Sequence, residues 1–263
     1  MSKKESLAYG RRAVLAIAQS RPQTILRVFY QKQGPTKDLA PLLKACAQQR
    51  KPYRAVSDEE LVKISGSQHH EGVVVVCTSP PKCDTQQLAN LLTHSKRFAS
   101  TSGLDIAPSH LSTWIALDEV GNDHNLGAIA RSLAWFGGGG MIWQAKRPQL
   151  SASALRIAQG GAEQIDLVTV SNLSEALMIM KEHGFLVVGA DQSAKQDVFQ
   201  LRSQKAICWV LGNEQFGLSK ACKSMCDHLV SIPGSGQVES LNVSVSAGIL
   251  MAHSQIHMRT SIR

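Results

Sequence analysis

Apolar and polar positions alternate along this chain with two periods. From residue 114 onward, short apolar runs of strand type (WIALDEV, GMIWQA, DLVTV, FLVVGAD, ICWVLG, LVSIP) give way to segments of helical period. The helical segments are LGAIARSLAWF, SASALRIAQGGAE, SEALMIMKEHG, LSKACKSMC and the closing LNVSVSAGILMAHSQIHM. Such alternation predicts an α/β fold, a mostly parallel sheet with helices on both faces. The N-terminal region predicts a second, smaller α/β unit. SLAYGRRAVLAIAQS reads as one helix with Leu7, Val14, Leu15 and Ala18 on one side. ILRVFYQ, YRAV and GVVVVCTS read as strands, the last stopped by Pro80-Pro81. TKDLAPLLKACAQQR and DEELVKISG read as helices, with Pro41 near the start of one and Gly66 closing the other. Residues 1–80 thus form one expected domain and 109–263 another. Between them, 81–108 reads as a linker, within which LANLLTHSKRF has the pattern of a short helix.

Length and composition agree with two modest domains: 263 residues, 43% of them hydrophobic. No apolar run approaches the roughly 18 residues that span a bilayer, and the N-terminus lacks the apolar core of a secretory signal. The spacings of the six cysteines match no zinc or redox pattern, so no metal is expected. Cys222 and Cys226 lie one helical turn apart, a spacing equally natural for buried thiols in a reducing, cytoplasmic setting. Charge changes the picture more. Residues 1–105 carry 16 Lys and Arg against 8 Asp and Glu, whereas residues 106–263 carry 12 of each. The net charge of +8 therefore lies wholly in the N-terminal part, as suits a surface that meets a polyanion.

Candidate chemistry gathers where predicted strands end. The stretch IPGSGQVESLNVSVSAGIL, 232–250, puts Ser240, Asn242, Ser244 and Ser246 at the start of an otherwise apolar helix. An N-cap accounts for one such residue, not for the run. WIALDEVGNDHNLGAIARSLAWFGGGG and AICWVLGNEQFGLS likewise turn from apolar to polar at Gly and Asn. In open α/β sheets ligands bind at the carboxyl ends of strands. Asn125 is placed to cap the helix carrying Arg131. On that helix a buried or half-buried Arg131 requires an anion, either a polyanion's phosphate or a carboxylate such as Glu214.

In this order, NLGAIARSLAWFG, LGNEQFGLS and IPGSGQVESLNVS resemble the three signature motifs of the SpoU, or TrmH-type, RNA 2′-O-ribose methyltransferases. YGRRAVLAIAQ and HHEGVVVV resemble that family's N-terminal substrate-binding domain, which is related to a ribosomal-protein (L30e-like) fold. The resemblance implies a deep trefoil knot, S-adenosyl-L-methionine as methyl donor, structured RNA as substrate (ribosomal in preference to transfer RNA) and a homodimer. It implies catalytic roles for Asn125, Arg131, Glu214, Ser240 and Asn242. The donor pocket would draw on Leu211, Gly212, Asn213, Glu214, Ile232, Pro233, Ser240 and Leu241. The terminal helix, with Ile249, Leu250, Met251 and Ile256, is a candidate dimer face or an internal core. NDHNLG departs from the pattern, with Asp123-His124 where the family commonly has a proline-containing turn. Two other readings stand beside this one. One is an RNA-binding or assembly protein that keeps the fold without catalysis. The other is a nucleotide-dependent oxidoreductase, against which the missing strand–GxGxxG–helix unit counts.

Overall fold

A computed structural model describes residues 5–33, 37–79, 84–94, 113–144, 149–203 and 205–260. Pro80-Pro81, Lys146, Arg147 and most of the 81–108 stretch, its end included, fall outside them.

The N-terminal unit holds β1 (Glu5–Tyr9), α1 (Arg11–Ser20), β2 (Ile25–Gln31), α2 (Ala40–Gln48), β3 (Tyr53–Val56), α3 (Asp58–Ser65) and β4 (Val73–Thr78). Its sheet order is β1-β4-β2-β3, with β4 antiparallel to both neighbours and β2 parallel to β3. The single helix expected from Leu7 onward is a strand and a helix. Gly10 breaks the segment at φ 89°, and β1 pairs with β4 through Leu7 opposite Val76. Val14, Ile17, Ile25, Val28, Val73 and Val75 form the small core. The start of α3 is fixed by a capping box between Ser57 and Glu60, and Gly66 ends it in the left-handed region.

The larger unit contains β5 (Thr113–Leu117), α5 (Asp123–Trp135), β6 (Gly140–Gln144), α6 (Ala152–Ile157), β7 (Asp166–Val170), α7 (Leu173–Glu182), β8 (Leu186–Ala190), the two-residue β9 (Gln196–Asp197), β10 (Ile207–Leu211), α8 (Lys220–Met225), β11 (His228–Ser231) and α9 (Val243–Thr260). The seven strands run in the order β7-β6-β5-β10-β8-β11-β9, every pairing parallel. Alternation along the central strands fills two cores. Ile115, Leu117, Trp209 and Leu211 join the core under α5, α6 and α9, while Trp114, Ala116, Cys208 and Val210 join the core under α7 and α8. The glycine run after α5 serves this packing: a Cβ on Gly140 would lie 2.5 Å from the Trp114 ring. Within the stretch read as a linker, α4 (Thr85–His94) buries Leu88 in the second core.

The two units share α6. Its Ala154 and the following Ala158 belong to the large core, Leu155 packs against both cores, and Ala152 packs against the N-terminal unit. Beside it, Arg21 of the small unit donates two hydrogen bonds of 2.8 Å to Glu163 of the large one. Both side chains are mostly buried, which favours a bidentate pair over a solvated one.

Candidate active site

Because the strands are parallel, the carboxyl ends of β5, β10 and β11 lie on one edge of the sheet, and each opens into one of the three motifs. The first becomes α5. Asn122, not Asn125, caps this helix, accepting a hydrogen bond from the His124 amide at 2.8 Å. The side chain of Asn125 is thereby released for a different task. It is 6% exposed, and its Nδ2 donates to Glu214 Oε1 at 2.5 Å, while its Oδ1 accepts from Asn242 Nδ2 at 3.1 Å. One amide thus joins residues from all three motifs, two of them 89 and 117 positions away. A buried amide paired on both sides holds its neighbours in place, because leaving either group unpaired would cost about 1–3 kcal/mol.

The second motif is folded on itself. Asn213 and Gly217 exchange backbone hydrogen bonds, and Asn213 Oδ1 accepts from the amides of Gln215 and Phe216. Its Nδ2 donates to the Glu119 carbonyl at 3.0 Å. Gly212 is obligatory in this turn, since a Cβ there would meet Gly217 backbone at 2.2 Å. Phe216 is left 81% exposed at the tip. The buried Asp118 anchors the far side, its Oδ2 accepting from the Ser219 amide at 2.7 Å and its own amide donating to the Leu211 carbonyl. Asp118, Glu119 and Asn122 are site-forming residues that sequence reasoning missed. The available signal was a carboxylate placed directly after a five-residue apolar strand. Leu211, expected to wall a donor slot, is 2% exposed and belongs to the core. Its carbonyl, rather than its side chain, faces the loops.

The third motif, 232–242, is exposed apart from the half-buried Ser231-Ile232 end, and Ile232 packs on the core. Among the described residues, no backbone–backbone hydrogen bond involves 232–241. Nothing lies within 4 Å of a Cβ built on Gly234 or Gly236. Asn242 has two roles: Oδ1 accepts from the amide and hydroxyl of Ser244, capping α9, while Nδ2 reaches Asn125. Pro233, Ser240 and Leu241 are exposed in the same loop.

Arg131 stands apart from this network, contrary to the expectation of a buried or half-buried guanidinium; of its two expected partners, the Glu214 carboxylate is not met. It is exposed, and among the described residues no ion pair or hydrogen bond involves its guanidinium. Six helical residues turn it about 120° away from the face of Asn125. Glu214 is engaged by the asparagine instead. Arg131 shares its stripe with Trp135, one turn on and 84% exposed. Behind the second motif, burial pushes the thiol of Cys222 up to about 11 and that of Cys226 up to about 12. Cys226 Sγ donates to the Cys222 carbonyl at 3.2 Å. Among the described residues no His, Cys, Asp and Glu group could hold a metal ion, and no helix is long and apolar enough to cross a membrane.

Residues 112–252 match the model of the SpoU rRNA methylase family. The chain belongs to this family. Residues 7–83 match a second model, described as RNA 2′-O ribose methyltransferase substrate binding. Among curated SpoU relatives, the 23S rRNA (guanosine-2′-O-)-methyltransferase RlmB of Neisseria meningitidis is 31% identical, over 94% of this chain and 93% of that one. An uncharacterized tRNA/rRNA methyltransferase, YfiF of Escherichia coli O157:H7, is 32% identical over 94% of this chain and 67% of its own. Among solved structures, the SpoU methyltransferase AviRb of Streptomyces viridochromogenes, in complex with AdoMet, superposes with a TM-score of 0.75. That match has 22% identity and covers 98% of this chain and 91% of that one. It shares the fold: a parallel sheet flanked by helices with a small N-terminal domain.

Proposed function

We propose that this protein transfers a methyl group from S-adenosyl-L-methionine to a ribose 2′-hydroxyl of structured RNA, ribosomal rather than transfer RNA. The observation that carries the reading is the Asn125 side chain joining Glu214 and Asn242 at one edge of the sheet. The RlmB relatives named as 23S rRNA methyltransferases support the choice of substrate. The residues fit the donor. An exposed loop whose amides and carbonyls are not used by backbone partners can read an adenine edge, with Ile232, Pro233 and Leu241 as apolar surface. Gly212, Asn213, Glu214 and Ser240 border it. When bound, the donor supplies a methyl group on a positively charged sulfur. The protein's share is to hold the hydroxyl oxygen in line behind that carbon, an alignment worth several kcal/mol of barrier. Asn242 and Ser240 orient the loop and the hydroxyl. Arg131 grips an RNA phosphate and stabilises charge developing on the oxygen; the proton passes to a phosphate oxygen or water.

A second chain is part of the same reading. Trp135, Val245 and Ile256 leave an apolar surface on α5 and α9, which suits a homodimer. Leu250 and Met251 are fully buried in the core, so they contribute nothing to that face. Residues 1–80 are read as the RNA-binding domain and 109–263 as the methyltransferase domain, acting in the cytoplasm. The deep trefoil knot belongs to the same reading and is carried by the resemblance in the three motifs. Incubation with methyl-labelled donor and bulk RNA should yield alkali-resistant dinucleotides; label on bases would overturn the assignment. Calorimetric titration with S-adenosylhomocysteine should give heat, and a flat trace without thermal shift would favour a binding protein that has lost catalysis.

A further inference from the structure

The two segments that carry the resemblance in the N-terminal unit, YGRRAV and HHEGVV, are sixty residues apart, yet they close one open pocket of about 550 Å³. Arg11, Arg12, Gln31, Asp58, His70 and Glu71 line it. His70 is 3% exposed. The Gly72 amide donates to its Nδ1 at 3.1 Å, so in the neutral ring the proton sits on Nε2. That Nε2 is buried without a hydrogen-bond partner; Asp58 Oδ1 is 3.6 Å away, beyond hydrogen-bonding distance. Arg11 Nε is also buried without a partner, with Asp38 Oδ2 at 3.7 Å. Among the described residues four buried side-chain atoms lack partners, and two of them line this pocket. A third, Arg156 Nε, belongs to the side chain packed on Gly10 at the start of α1. Native proteins rarely leave buried donors unmet, so their concentration at one pocket points to a ligand rich in acceptors.

The first residues of α1 face the same space. Gly10 offers no side-chain cap, and the Glu71 carboxylate takes only the Arg11 amide. Cationic and N–H groups thus share a space of nucleotide size with the acceptors Asp58 and Gln31, of which Gln31 Nε2 donates to Asp58 Oδ1 at 3.4 Å. A bare anion would be repelled by Asp58 and Glu71, whereas a nucleotide can satisfy both sets.

We propose that this pocket takes a single unpaired nucleotide of the RNA, its phosphate against Arg11 and Arg12 and the polar edge of its base toward His70, Asp58 and Gln31. The proposal rests on the RNA-methylating reading above and gives the N-terminal unit a point of sequence readout, since proteins read RNA mainly at extruded, unstacked bases.

The test uses the full chain with bulk ribosomal RNA. The exposed Arg12→Glu should raise KM for RNA about tenfold and lower the salt slope of binding by about one. Its kcat at saturating RNA, its affinity for S-adenosylhomocysteine and its unfolding temperature should match the parent. Asp58→Asn should raise KM about threefold, leaving the salt slope in place. Parental KM in both variants, with ribose methylation intact, would overturn the pocket and leave the function standing. If the parent methylates no RNA, the function fails, and filter retention of RNA by the same variants still decides the pocket. Guanosine 5′-monophosphate bound by the parent, with RNA affinity untouched by Arg12→Glu, would mark a free-nucleotide site and overturn the RNA proposal.

Discussion

The two ends of α5 differ in how their polar groups are satisfied. At its start, Asn125 is buried and paired on both sides within the chain. Two turns on, Arg131 and Trp135 stand exposed, with no partner for the charge among the described residues. The first end is assembled by folding. The second has no such cover; under the proposed function it would take RNA phosphate at the guanidinium and a second chain at the indole. If this is the methyl-transfer site, as proposed, the division would hold the donor loop ready while making catalysis depend on substrate.

The division can be broken by substitution. Arg131→Ala should lower single-turnover transfer at least about a hundredfold while S-adenosylhomocysteine affinity stays within a few-fold. Its unfolding should barely move, because an exposed side chain without partners contributes little to stability. Equal loss of folding and activity would erase the distinction between the ends. Asn125→Ala should do the opposite and strike stability first. Removing a buried amide together with its two hydrogen bonds should lower unfolding free energy by about 2 kcal/mol, measured in urea, and weaken donor binding and transfer together. Asn242→Ala removes one of those bonds and the cap of α9, with a loss of about 1 kcal/mol and both steps impaired. Trp135→Glu should leave the chain folded and shift sedimentation to the monomer; a parent already monomeric would assign the outer end to RNA alone.

The smallest effect concerns the frame behind both ends. Burial raises the carboxyls of Asp191 and Asp227, but hydrogen bonds from Lys223 and Ser193 and from Lys181 and the Val187 amide outweigh it, so both lie below the ordinary carboxylate range. Depressed groups stabilise the fold at neutral pH and lose that contribution as pH falls through the ordinary value, about 4, toward the depressed one. The urea midpoint should therefore drop on acidification below that range. The drop should be shallower in Asp227→Asn.

Much of this arrangement was legible in the sequence. Apolar runs ending in Gly and Asn located the strand ends, and these converge because parallel strands share a carboxyl edge. Where reading failed, local pattern was overruled by partners distant in sequence. Leu7 sits at a spacing that a helix also satisfies, and only pairing with β4 decides for a strand. Asn125 looked like a cap because Asn is favoured there; Asn122, three residues earlier, does that work. The exposure of Arg131 follows from the number of residues to Asn125, but its missing carboxylate follows from Glu214 being taken from across the sheet.

The position of α6 bears on how the chain could be shortened. Since Leu155 and Ala152 are dried by the small unit while Ala154 lies in the large core, a catalytic fragment trimmed at the joining segment would carry a wet apolar scar and an orphaned Glu163. Such a fragment would be sticky before it was inactive, so the small unit also serves as a cover for the large one.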